Sequence, residues 1–116
     1  MERSVMAATF PEPLIGKWAV VSSQTPGEKQ VGGEILDEWV IGPDSLRTSD
    51  GTMLIVGKVE VKEEPHQALV FISFANNSLQ YAFLSSKDQP DAVLVIMYLN
   101  REEKMRCAIT QEVYRD

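Results

Sequence analysis

One cysteine in the whole chain, Cys107, excludes an intrachain disulfide and any metal site built on several thiolates. Histidine is as scarce: His66 alone, in a turn after Glu63-Glu64-Pro65, has no second His for a metal and no nucleophile beside it for a triad. No apolar run approaches the roughly 20 residues that span a bilayer, and the first thirteen residues lack the apolar core of a signal peptide. Basic residues are few and scattered, 11 against 17 acidic for a net charge of −6. Phosphate backbones and anionic membranes need clustered Lys and Arg, so neither nucleic acid nor a membrane is expected as a partner. No segment repeats its apolar residues at helical spacing, and no glycine-rich phosphate cradle leads from a strand into a helix.

What is there is strand after strand. At 116 residues and 44% hydrophobic, the chain has the size of one domain with one core. Phe10-Pro11-Glu12-Pro13 reads as a stiff lead-in, because each proline fixes its own φ and biases its predecessor toward extended backbone. Residues 1–13 are thus an extended lead-in and 14–116 the folded domain. Trp18, Val20 and Ser22 share one face of the first strand. Ile35, Asp37, Trp39 and Ile41 share a face of the next. Met53, Ile55, Val59 and Val61 alternate with Lys58, Glu60 and Lys62, and Gly57 within that run marks a bend or bulge. Ala68–Phe74, Leu79–Ser85, Ala92–Leu99 and Met105–Tyr114 follow, separated by Asn76-Asn77, Asp88-Gln89-Pro90 and Asn100–Glu103. Ser49-Asp50-Gly51 is a hairpin signal.

About eight short strands in up-and-down order abolish their edges only by closing, so the expected fold is all-β, a single antiparallel barrel; an open sandwich would satisfy the same alternation. Ala92–Leu99 is apolar on both faces and needs a cover on its outer side, of which a homodimer contact is the simplest.

Leu14-Ile15-Gly16-Lys17-Trp18-Ala19-Val20-Val21-Ser22-Ser23 resembles the opening strand of the calycins, the lipocalin and fatty-acid-binding-protein superfamily. Glu38-Trp39-Val40-Ile41 is similar to the second strand of small bacterial lipocalin-like domains. Thr110-Gln111-Glu112-Val113-Tyr114-Arg115 is similar to the last strand of intracellular fatty-acid-binding proteins. The resemblance implies a lipocalin-like barrel whose G-x-W motif, Gly16 and Trp18, forms a structural base. It also implies a late-strand arginine stacked on that indole, Arg106 by position and Arg115 as second choice. Two departures limit what it carries over. Glu112 stands where those proteins place a ligand-holding arginine, and Gln24–Gly33 is too short and Gly/Pro-rich for their helical lid.

Two functions from different classes follow. The first is a non-enzymatic barrel that takes a small apolar ligand into its interior, walled by Trp39, Phe71, Tyr81, Phe83, Met97 and Tyr114 with Arg106 as polar anchor. The second is a filled barrel acting as a protein-interaction or inhibitor module, monomer or homodimer. Asp37, between apolar positions, is either a solvated strand-start carboxylate or an interior acid paired with Arg106 or Arg47. Cys107, between apolar neighbours, reads as an inert thiol. No catalytic residue, cofactor or metal is expected, and the lone cysteine and missing leader make the cytoplasm the expected location.

Overall fold

The computed structural model describes the backbone of residues 3–7, 9–24, 31–76, 79–101 and 104–115, and side chains within 9–24, 34–76, 79–98 and 109–115. Its strands are β1 (Arg3–Ala7), β2 (Gly16–Gln24), β3 (Val31–Ile41), β4 (Ser45–Arg47), β5 (Met53–Glu63), β6 (Gln67–Phe74), β7 (Leu79–Ser86), β8 (Gln89–Arg101) and β9 (Lys104–Arg115). A single 3-10 turn, Glu12–Leu14, precedes β2.

Strands β2 to β9 form a closed eight-stranded antiparallel barrel in the order β5-β4-β3-β2-β9-β8-β7-β6, with β6 pairing back onto β5. The expected up-and-down barrel is the observed fold, and no sandwich forms. The lead-in does more than approach it. β5 runs on beyond its pairing with β4, which ends at Ser45↔Ile55, and Arg3–Ala7 takes the edge left over, with Val5 opposite Val61 and Ala7 opposite Val59. Phe10 then turns inward, its N–H donating to Pro43 O at 2.8 Å, and its ring is buried.

The buried inward residues are Trp18 and Val20, Trp39 and Ile41, Leu54 and Val59, Val70 and Ile72, Tyr81 and Phe83, Val93 and Val95, and Val113. Alternation marks those of β2, β3 and β7, but in β5 the slip at Gly57 reverses the parity, so Leu54 is buried and Met53 and Ile55, expected on the face of Val59 and Val61, are exposed. Each large side chain so withdrawn from water contributes about 1.5–3 kcal/mol. Gly57 is the predicted bulge. The β5–β6 register slips there, and a Cβ on it would lie 3.1 Å from both Ser73 O and Ala75 N.

The base of the barrel is closed by Trp18. Its Nε1 donates to Leu14 O at 2.9 Å, which fixes the 3-10 turn beneath the indole. The cation over the ring is Arg115, with its guanidinium carbon 4.3 Å from the ring centroid; this corrects the assignment to Arg106, whose side chain lies outside the described residues. Antiparallel closure is the reason. The first turn of β2 opposes the last of β9, so Trp18 is paired directly with Arg115. Arg115 also donates to Pro13 O at 2.6 Å, to Ile15 O at 3.3 Å and to Asp91 Oδ1 at 3.1 Å. Gly16 has φ of +141° and its missing Cβ would sit 2.8 Å from Arg115 Nη1, so the glycine serves both the backbone turn and the guanidinium.

Gly16→Ala should therefore destabilise the protein by about 1–3 kcal/mol in urea unfolding. Gly42→Ala, whose Cβ would meet nothing nearer than 3.8 Å, should stay within about 0.5 kcal/mol of the parent.

Candidate functional site

Four steps around an eight-stranded ring separate β3 from β7, so Trp39 and Tyr81 project from opposite walls. Their rings nevertheless stack, centroids 5.9 Å apart and 29° from parallel. A lumen bridged by two side chains in contact holds no cargo at that level. Phe74 meets Tyr81 edge-on at 5.0 Å, Phe83 lies 6.1 Å from Tyr81, and Phe10 meets Phe83 edge-on at 5.8 Å. This aromatic column, each pair adding about 0.5–1.5 kcal/mol beyond its burial, runs through the interior from Trp39 to Phe10.

Of the residues expected to wall a ligand, Trp39, Tyr81 and Phe83 come together in that column, and Met97 packs against it, partly buried. Two do not face the interior. Val70 and Ile72 point inward, so Phe71 between them points out; Val113 points inward, so its neighbour Tyr114 is 45% exposed. The Arg106 and Cys107 side chains lie outside the described residues. The sequence reading missed Phe10 as a member of the column, whereas Phe74 is one of the aromatics it expects to fill the core. Phe10 had a signal, being the one aromatic in the lead-in.

Asp37 is half-buried and is held by hydrogen bonds, with no arginine paired to it among the described residues. Its Oδ1 accepts from Glu38 N at 2.8 Å, Ser49 N at 3.1 Å and Ser49 Oγ, and its Oδ2 accepts from Trp39 Nε1 at 3.2 Å. The β3–β4 ladder consists of two pairs only, Val40↔Arg47 and Ile41↔Leu46. The Asp37 carboxylate carries the wall on past the point where that ladder stops. Asn76 does the same at the start of β5, accepting from Ile55 N and donating to Met53 O, both at 2.9 Å. Burial, and secondarily the Asp37 charge, push the Tyr81 phenol up from 10.0 to about 12.

Concavities lie at the base and on the outer surface. One of about 270 Å³ lies at the base, where Leu14, Pro13, Ala68, Val93 and Pro90 meet beside a Lys87–Glu63 ion pair of 3.8 Å. Two of about 310 Å³ lie outside the barrel, one along Leu84, Leu94 and Tyr114, the other around Phe71 between Lys58 and Lys62. No group of three or more His, Cys, Asp or Glu able to hold a metal occurs among the described residues.

No protein-family model matches this chain, no curated protein matches it, and no solved structure matches it.

The neutral phenol of Tyr81 sets a pH dependence. Its folded value lies above the unfolded one, so its contribution is complete below pH 10 and lost as pH rises to about 12. Urea unfolding should show a fall of about 2–3 kcal/mol across that window in the parent and a flatter profile in Tyr81→Phe. A double-mutant cycle on Asp37→Ala and Ser49→Ala should give a coupling of about 0.5–3 kcal/mol, since each removes the same stitch.

Proposed function

We propose that this protein is a non-enzymatic interaction module, a packed calycin-like barrel that meets a partner protein with its outer surface. The observation that carries this reading is the Trp39–Tyr81 contact across the lumen, with Phe74, Phe83 and Phe10 continuing it toward the base. Eight-stranded interiors are often just wide enough for side chains, and this one is used in that way. What the barrel spends on its inside it also displays outside: Phe71, Leu84, Leu94, Ile96 and Tyr114 stand on the outer faces of β6 to β9 with part of their surface in water. The Gly16–Trp18–Arg115 base supports the calycin assignment, and a lone cysteine suits a reducing compartment such as the cytoplasm. No cofactor enters this reading.

A second reading has one observation in its favour. The basal pocket of about 270 Å³ is lined largely by apolar residues and has a charged pair beside it, near the lower limit of small-ligand sites. In that reading the module carries a small apolar ligand beneath the column, not inside it.

Titration with an apolar fluorophore, fatty acids, retinoids and tetrapyrroles tests both. The interaction module should take up none of them and leave tryptophan emission unchanged. Uptake that Ala68→Leu abolishes would replace the first reading by the second. Uptake that shifts Trp39 emission and survives Ala68→Leu would mean that the column opens, which defeats both.

A further inference from the structure

Six large apolar side chains are left exposed among the described residues, and five of them, Ile35, Leu36, Val40, Met53 and Ile55, lie on β3 or at the start of β5. This is where the wall is thinnest. β4 is three residues long and holds β3 by two pairs. Above it, β3 leaves its other neighbour too: Val20 pairs with Asp37, but Ser22 pairs with Gly32, so the four residues 33–36 have no strand partner on β2. They have none on β4 either. Among the described residues the segment has no ladder on either side, and it presents N–H and C=O groups that an added strand would satisfy.

The side chains along this segment are ordered. Glu34, Leu36, Glu38 and Val40 alternate on the outer face, acid, apolar, acid, apolar, and all four are exposed. Ile35 has the parity of the interior yet is 58% exposed, so the bulge carries it out of the core. Asp50 sits in the turn that Asp37 holds through Ser49; hydrogen bonds from Thr48 and then Thr52 pull its carboxyl down to about 2, and it stays charged. Two basic residues, Lys17 and Arg47, flank Val40 at the lower end of this surface.

We infer that the β3–β4 seam is a docking surface for an extended segment of a partner protein in which basic and apolar side chains alternate. The segment lies along residues 33–36, its basic side chains meeting Glu34 and Glu38 and its apolar ones meeting Leu36. Val40, Met53 and Ile55 continue the apolar surface for residues that flank it. A second copy of this chain fits poorly. Antiparallel pairing centred on Leu36 would set Glu34 of one copy against Glu38 of the other, and like charges directly opposite are destabilising. The inference rests on the interaction-module reading and names its partner's chemistry.

The probes are two labelled peptides of about eight residues, long enough for one strand, alternating Lys with Val or Glu with Val. Fluorescence anisotropy with the intact protein at low salt should give at least about tenfold tighter binding of the Lys/Val peptide, with the ratio shrinking as salt screens the charges. The Glu34→Lys, Glu38→Lys double variant should reverse the preference, and Leu36→Asp should remove binding. All three positions are exposed, and circular dichroism will report whether each variant keeps the barrel. Equal binding of both peptides, or a preference unmoved by the charge reversal, overturns the seam as the site. Self-association in sedimentation that Leu36→Asp abolishes would assign the seam to a second copy instead. Uptake of apolar ligand with loss of the Trp39 signal would instead strike the module reading itself, so the two failures are told apart.

Discussion

Everything above the base of this barrel depends on one guanidinium. Arg115 lies within the final two residues of the chain and lies over Trp18, while its nitrogens reach the carbonyls of Pro13 and Ile15 and the carboxylate of Asp91. The first and last strands of the barrel are thereby joined through side chains as well as through the β2–β9 ladder. A stacked cation contributes about 0.5–2 kcal/mol, and hydrogen bonds from a charged group about 1.5–3 kcal/mol each, less where solvent reaches them. Arg115 is partly solvated, so the lower ends of those ranges apply. The larger effect is geometric. With the indole held, the turn carrying Leu14 is held, and Phe10 is delivered under Phe83.

The aromatic column follows from that placement. A barrel of eight strands must either fill its lumen or leave a void whose lining loses its packing contacts. Here the largest side chains available project inward from facing strands, and a segment outside the barrel supplies another ring from below. Filling the lumen also decides the electrostatics at mid-height. Burial, with the Asp37 charge second, raises the Tyr81 phenol to about 12, while the Asp37 carboxylate accepts its hydrogen bonds from Ser49 and the indole N–H of Trp39.

Much of the ring was legible in the alternation. Period-two patterning marks the inward faces of β2, β3 and β7, and the turns at Ser49-Asp50-Gly51 and Asp88-Gln89-Pro90 set the hairpins; in β5 the slip at Gly57 reverses the parity, so Met53 and Ile55 face out. Parity, applied residue by residue, would also have turned Phe71 and Tyr114 outward, since Val70, Ile72 and Val113 are the buried members of their strands. Hydrophobic character alone misplaced them. The partner of Trp18 was legible through topology rather than composition: in an antiparallel closure the start of one terminal strand lies against the end of the other, which selects Arg115 over Arg106. What no pattern revealed was how far each ladder runs. Asp37 reads as solvated until the β3–β4 pairing is known to stop after two pairs, and only then does its bond to Ser49 become necessary.

That short ladder has a simple origin. The turns at 42–44 and 48–52 crowd β4 to three residues, whereas β3 spans eleven, so most of β3 must do without β4. A closed barrel removes free edges only where its strands overlap. Where they do not, the wall relies on side chains, and a carboxylate on a hydroxyl satisfies few of the backbone groups that a ladder would. The bulge at 33–36 interrupts the β2–β3 ladder and leaves this part of β3 off the regular pleat. In the proposed docking, the acidic residues at 34 and 38 on such an edge disfavour a second copy and favour a strand of the opposite sign, and the free edge itself comes from the mismatch in length between β3 and β4.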